Sequence, residues 1–253
     1  LRRPRFWSLN PFFTLSDARN RFTGNPDLDP EFTDSYEIGH IKYWDKGSLG
    51  SSIYYRHTTG VIQRVISDVQ VVDSLVITLR RPENLATRDD LGFEFNFSYS
   101  PYKWWKVNGD MNLFRSIIDG SNVNDSFTAD TYTMSGRITS RMTIMKKTDV
   151  QLRVNYRAPR ETTQGTTKAI TSLNLGMSRD VFKKKGTLTL SVSDVFNSRK
   201  RRGTLFTDNL YREEEFQWRG RTTRLTLNYR LNQKKKRGGR RGGSSYEGGG
   251  GEF

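Results

Sequence analysis

Three adjacent carboxylates, Glu213, Glu214 and Glu215 in "YREEEFQWR", are one candidate for cation chemistry. In a strand, consecutive side chains leave on opposite faces, so the three cannot converge on one ion. Pairing with Arg212, Arg219 and Arg221 is the expected use of those charges. Cysteine is absent, which removes disulfides and thiolate metal sites. His40 and His57 are the only histidines, too few for a multi-histidine metal site. No nucleophile, base and orienting group stand out together. The expectation is therefore a protein that is not an enzyme, with no catalytic, cofactor or metal site.

A second set of polar residues has a different pattern. Glu94, Asn96, Asp110, Arg137, Arg141, Arg153, Asn155 and Arg224 each fall on the face opposite the apolar residues of an alternating stretch. Charges and amides collected on one face can line a path for a polar solute. They can equally contact another part of the protein or one another. "NPDLDPE" (Asn25–Glu31) reads as a rigid loop: Pro26 and Pro30 restrict the backbone, and Asn25, Asp27 and Asp29 can cap turns. It would set where the next strand begins, with ligand binding as the alternative.

The elements that carry these residues are strands. Leu91, Phe93, Phe95, Phe97 and Tyr99 alternate with Gly92, Glu94, Asn96 and Ser98. The same two-residue period recurs in Ser35–Trp44, Leu49–Ile66, Val107–Leu113, Tyr132–Ile144, Val150–Arg157, Leu173–Met177, Leu188–Val192 and Arg221–Leu231. This gives about nine strands in an all-β, antiparallel up-and-down meander. Short turns are expected at Asp45–Ser48, Pro101–Lys106, Lys146–Asp149 and Lys183–Gly186. Long polar loops are expected near Ser67–Asp90, Asp119–Ala129, Ala158–Lys168 and Ser198–Gln217. Short turns at one rim and long loops at the other are the layout of an outer-membrane barrel. Aromatic residues gather at strand ends, as at Tyr43–Trp44, Tyr102 with Trp104 and Trp105, and Phe216 with Trp218, which suits a headgroup belt. A soluble sandwich with a polar outer face is the competing reading.

Composition agrees with a barrel. Only 34% of the 253 residues are hydrophobic, and mean hydropathy is −0.74. No stretch approaches the roughly 18 apolar residues of a membrane helix, but half of each barrel strand is polar, so a barrel survives this test. The formal net charge of +15 implies anionic surroundings. Part of it lies in "KKKRGGRRGG" (Lys234–Gly243), which would suit RNA in a cytosolic protein; a disordered basic tail is expected over 232–253. The chain starts at Leu1 without a leader, and is expected to be the C-terminal piece of a longer protein.

"GNPDLDPE" followed by "SYEIG" (Ser35–Gly39) resembles the loop-to-strand motif of TonB-dependent outer-membrane receptors of Gram-negative bacteria. "LSVSDVFNSR" (Leu190–Arg199) resembles that family's penultimate strand, and "TTRLTLNYRL" its terminal strand, with Leu231 where the family usually has Phe. The resemblance implies part of a large transmembrane β-barrel, open over these residues. An extracellular loop segment is then expected over 1–34, the partial barrel over 35–231 and the tail beyond. It further implies import of a scarce solute with TonB-coupled energy. The implied partners are outer-membrane lipid, a plug and earlier strands of the same protein, the TonB complex and an imported ligand; nucleic acid is not among them. A complete small barrel acting as pore, adhesin or enzyme is the alternative.

Overall fold

The computed structural model describes residues 1–12, 19–73, 75–145, 147–207 and 210–231. The stretch expected to be a disordered tail, 232–253, lies outside the described residues. One helical turn, α1 (Phe6–Leu9), precedes β1 (Asn20–Phe22), β2 (Phe32–Trp44), β3 (Gly47–Val72), β4 (Leu75–Tyr102), β5 (Trp105–Asp119), β6 (Thr128–Ile144) and β7 (Thr148–Arg157). Then follow β8 (Arg160–Thr162), β9 (Gly165–Thr167), β10 (Ile170–Val181), β11 (Gly186–Ser193), β12 (Arg201–Thr207), β13 (Leu210–Phe216) and β14 (Thr222–Tyr229).

The main sheet runs β2-β3-β4-β5-β6-β7-β10-β11-β14, every neighbour antiparallel, with β1 added in parallel to β4. This is the all-β meander expected from the alternation. Among the described residues no ladder joins β2 to β14, so the sheet is open at both strands. A complete small barrel over these residues would need that ladder.

Three of the expected long loops are largely strand. β3 and β4 stay paired out to Val72 and Leu75, through most of the Ser67–Asp90 stretch, with a bulge between Ile66 and Asp68. The 158–168 and 198–217 stretches supply β8, β9, β12 and β13, which form a separate four-stranded sheet. Polar residues such as Gln70, Arg80 and Arg81 hide the alternation there, because pairing in water does not require an apolar face.

Directly paired residues share a face, so the registers sort the side chains. One row across the sheet reads Ile38, Ile53, Phe93, Leu113 and Met134. Its neighbour toward the short turns but one reads Leu49, Phe97, Gly109, Ile138, Val154 and Leu173. Phe97 lies over Gly109, where a Cβ would run into its ring. This apolar face is open: Ile38 is 78% exposed, Phe93 51% and Leu225 67%. From Leu91 to Tyr99 it extends about 26 Å along the strand, at ~3.3 Å per residue, close to the length of a tilted membrane strand. Tyr36, Tyr55 and Tyr132 close the band at one end; Trp44, Tyr99 and Trp105 lie at the other. One row beyond the tyrosines the same face turns polar, at Asp34, His57, Asp89 and Asp130. The buried core is small and lies beyond the band, where Val61, Val65, Leu85 and Phe127 pack with Ile118.

Arg in place of Phe95, in the middle of the band, is expected to cost about 2–4 kcal/mol of folding in lipid, as charges do at the midplane of a barrel's lipid face. Asn96→Arg, on the other face, is expected to be far milder. Folding titrations of the two variants in vesicles check the difference.

Candidate functional site

The opposite face of the same strands is polar, and the registers place all eight polar candidates on it. One row reads Asn96, Asp110, Arg137, Asn155 and Ser172. Adjacent rows hold Glu94 with Asn112, and Arg153 with Thr139 and Asn174. Another links Lys106, Arg141, Gln151, Gly176, Ser191 and Arg224. The two-residue period brings them to one side, and antiparallel pairing brings them into rows.

Only some of them come together in space. Asn96, Asp110, Arg137, Arg141 and Arg153 line one cleft. Asp110, Arg137 and Asn155 line another with Ser135, Arg157, Ser172 and Arg199. Glu94 and Arg224 lie outside both. The ties within the set are loose: Arg137 Nε is 3.8 Å from Asp110, and Arg56 is 3.8 Å from Glu94. Asn155 donates to Ser172 at 3.2 Å and Arg141 to Gln151 at 3.0 Å. Arg153 Nε is buried without a hydrogen-bond partner among the described residues. These side chains can offer donors to a solute without first breaking strong internal pairs.

Toward the long-loop end this face becomes more basic. Arg160 is exposed at the surface, yet partial desolvation by neighbouring atoms and the charges of Arg157, Arg201 and Arg88 lower its guanidinium pKa. Arg157 continues the alternation of Arg153 and Asn155, so the sequence carried a signal for it. Arg160 and Arg201 belong to β8 and β12, and no periodicity announces their meeting with β7. Tyr54 was also missed. It lies on this face, 2% exposed, with Arg56 4.2 Å above its ring and its hydroxyl donating to Asn112 at 3.0 Å.

The loop end is held by polar side chains. Asn25, 4% exposed, donates to the Pro82 carbonyl at 3.2 Å and to Glu83 at 2.9 Å. Its own oxygen accepts from Arg81 at 2.7 Å and from the Asp27 N–H at 3.1 Å. Asn84 donates to the carbonyls of Asp29 and Gly60 and accepts from the Asp29 N–H. Glu31 accepts from the Ile62 N–H at 2.7 Å and pairs with Arg2 at 2.8 Å. "NPDLDPE" thus fastens the first segment onto the extended ends of β3 and β4. Gln164, from the β8–β9 hairpin, fits the bulge of β3: its amide accepts from the Ile66 N–H at 2.8 Å and donates to the Ile66 carbonyl at 3.0 Å.

The three carboxylates do not converge. Glu214 takes Arg80 and Arg212, each at 2.5 Å, while Glu215 takes Lys200 at 2.7 Å and Arg202 at 2.8 Å. Of the expected partners only Arg212 is used. Arg80 comes from β4, more than a hundred residues away, and no local pattern announces it. Among the described residues no group of His, Asp and Glu is arranged to hold a metal.

The comparisons with known proteins accord with this geometry. A family model described as the outer membrane protein beta-barrel family matches residues 1–229. Among solved structures the chain is similar to the siderophore receptor PirA from Pseudomonas aeruginosa, at 14% identity and a TM-score of 0.54, over 89% of this chain and 36% of that one. It is similar to the copper transporter OprC, at 16% identity and a TM-score of 0.54, over 90% and 35%. It is also similar to the ferric yersiniabactin uptake receptor FyuA from Yersinia pestis, at 15% identity and a TM-score of 0.54, over 82% and 30%. The chain therefore spans about a third of the length of these structures. No curated protein sequence matches it.

Asn25→Ala is expected to cost about 1–3 kcal/mol locally, because it leaves buried partners unsatisfied. Faster hydrogen exchange around residues 23–31 and 80–84, with the main sheet unchanged, is the readout. Acidification gives a second expectation. Burial raises the Glu214 carboxyl pKa, but the hydrogen bond from Arg212 and the charges of Arg80 and Arg212 outweigh it and hold the group below its ordinary value. A depressed carboxyl contributes stability above its unfolded pKa and loses it as pH falls through the folded one. The attachment of β13 to β4 is therefore expected to be unchanged between about pH 7 and 5 and to loosen only below about pH 4.5. Exchange at β12 and β13 across that range checks it.

Proposed function

The chain belongs to the outer membrane protein beta-barrel family, and on that premise we propose that it is the C-terminal barrel portion of a TonB-dependent receptor. It lies in the outer membrane. Strands earlier in the same protein pair with β2 and β14 and close the barrel around a plug. The receptor binds a scarce solute at the long-loop end and passes it inward along the polar face. Energy comes from the TonB complex, acting on a segment ahead of the plug. The work is binding and gating, with no covalent step. The arginine excess around Arg157, Arg160 and Arg201 favours a solute that carries negative charge.

The observation that carries this reading is the pair of open edges. Unpaired backbone N–H and C=O groups cannot be left facing hydrocarbon, where no water satisfies them. A sheet with an apolar face, a polar face and two unpaired edges needs further strands before it can function in a bilayer.

Expressed alone, residues 1–253 are expected to give no barrel that resists unfolding in detergent without boiling, whereas the full-length protein gives one. Gel mobility with and without heating reads this directly. Stable insertion of residues 1–253 alone would replace the receptor reading with a complete small barrel.

A further inference from the structure

The lysines of this chain are concentrated at one end of the sheet. Every lysine except Lys168 and Lys200 lies on a short turn, at a strand end beside one, or in the stretch after Leu231. Lys46, Lys103, Lys147 and Lys183 stand at the four short turns; Lys42 stands close beside one of them on the apolar face, and Lys106 beside another on the polar face. All six are exposed. Among the described residues none of the six is ion-paired, whereas several arginines toward the other rim are held by carboxylates: Arg2 by Glu31 at 2.8 Å, Arg80 by Glu214 at 2.5 Å, Arg202 by Glu215 at 2.8 Å. Lys200, at that rim, is paired too. The strand-end acids near the turns, Asp149 and Asp180, lie on the polar face and accept from Thr143 and Thr187.

The lysines border aromatic rings at the end of the apolar band. Tyr102, Trp104 and Trp105 stack at 5.5 to 6.4 Å, and Phe182 meets Tyr229 edge-on at 5.8 Å. Lys42 sits on the apolar face one row inside Trp44, where its stem can lie along apolar surface while its ammonium reaches the polar layer. The turn backbones were not chosen for ease. Met145, Phe182 and Lys183 are left-handed (φ 52, 51 and 52), positions that glycine or asparagine would hold more readily. Side chains kept in such places point to a use for the side chains.

We infer that the short-turn rim is a docking surface for anionic phospholipid, with the turn lysines on the phosphates and the adjoining aromatic rings at the level of the glycerol backbone. Lysine suits this partner. It is a point charge on a flexible stem and can follow a fluid headgroup, whereas the planar fork of arginine suits the fixed carboxylates of the other rim. The inference rests on the chain's place in the outer membrane and not on what the receptor imports. β14 also ends at this rim, so the six cations from Lys234 to Arg241 follow in sequence from the same edge.

The test uses the full-length protein in nanodiscs that hold zwitterionic and anionic phospholipid in equal parts. Co-purifying lipid is counted by native mass spectrometry. The unaltered protein is expected to retain anionic lipid at about five times its bulk proportion, roughly the factor one lysine near an anionic surface supplies. A variant with Lys46→Gln, Lys103→Gln, Lys147→Gln and Lys183→Gln is expected to lose most of that excess, and the same four changed to Arg to keep it. Lys168→Gln is expected to change nothing. If the fourfold Gln variant does not fold, the single substitutions are read instead, each lowering the excess. Retention at bulk proportion by the unaltered protein, or an unchanged excess in the Gln variants, overturns the inference. Loss of solute uptake with lipid retention intact would bear on the import reading alone.

Discussion

A backbone in hydrocarbon has no water to bond, and this constraint governs the rest of the molecule. Every N–H and C=O inside the membrane band must find a partner on a neighbouring strand. The meander satisfies it between β2 and β14 by pairing each strand with the next in antiparallel register. Those registers leave no freedom in side-chain placement, since a slip of one residue would turn Phe93, Phe95 and Phe97 inward and Glu94 and Asn96 into lipid. The apolar band, the polar face and the need for further strands at both edges follow from the one ladder.

Beyond the band the constraint relaxes, and a different chemistry takes over. β3 and β4 continue as a hairpin through residues polar on both faces, because water can bond whatever the ladder leaves free. Cohesion there comes from individual polar contacts. Asn25, Glu31 and Asn84 fasten the first segment to β3 and β4, Gln164 completes the bulge of β3, and Glu214 ties β13 to β4. Such contacts are buried enough to matter and specific enough to fix one arrangement, while the apolar cluster around Leu85 is too small to do so alone. A loop end built this way can vary in sequence without disturbing the band.

The two rims also differ in how they handle charge. At the loop end cations such as Arg80, Lys200 and Arg202 are matched by carboxylates on other elements, which turns charge into structure. On the polar face Arg153 keeps a buried Nε without a partner among the described residues and Arg157 lines a cleft, so charge remains there for a solute or for another part of the protein. At the short turns lysines face outward beside aromatic rings, so charge remains available to the membrane. One chain with a net charge of +15 thus puts its cations to different uses by position.

The sequence by itself determined the strands of the band, their facing and their order. Alternation with a period of two is imposed locally, residue by residue, when one side meets lipid and the other does not. Leu91 to Tyr99 could therefore be read as a strand with a known face, and Arg137, Arg153 and Asn155 could be put on the opposite one. The motif order gave the family resemblance that the match over residues 1–229 bears out. Only the tertiary structure decided what happens past the band. It put strands where long loops were expected, gave Glu214 to Arg80 in place of Arg219 and Arg221, and gathered Arg88, Arg157, Arg160 and Arg201. Those meetings join residues far apart in the chain through polar contacts made in water. No periodic pattern marks them, because the solvent there does not penalise a polar residue on either face.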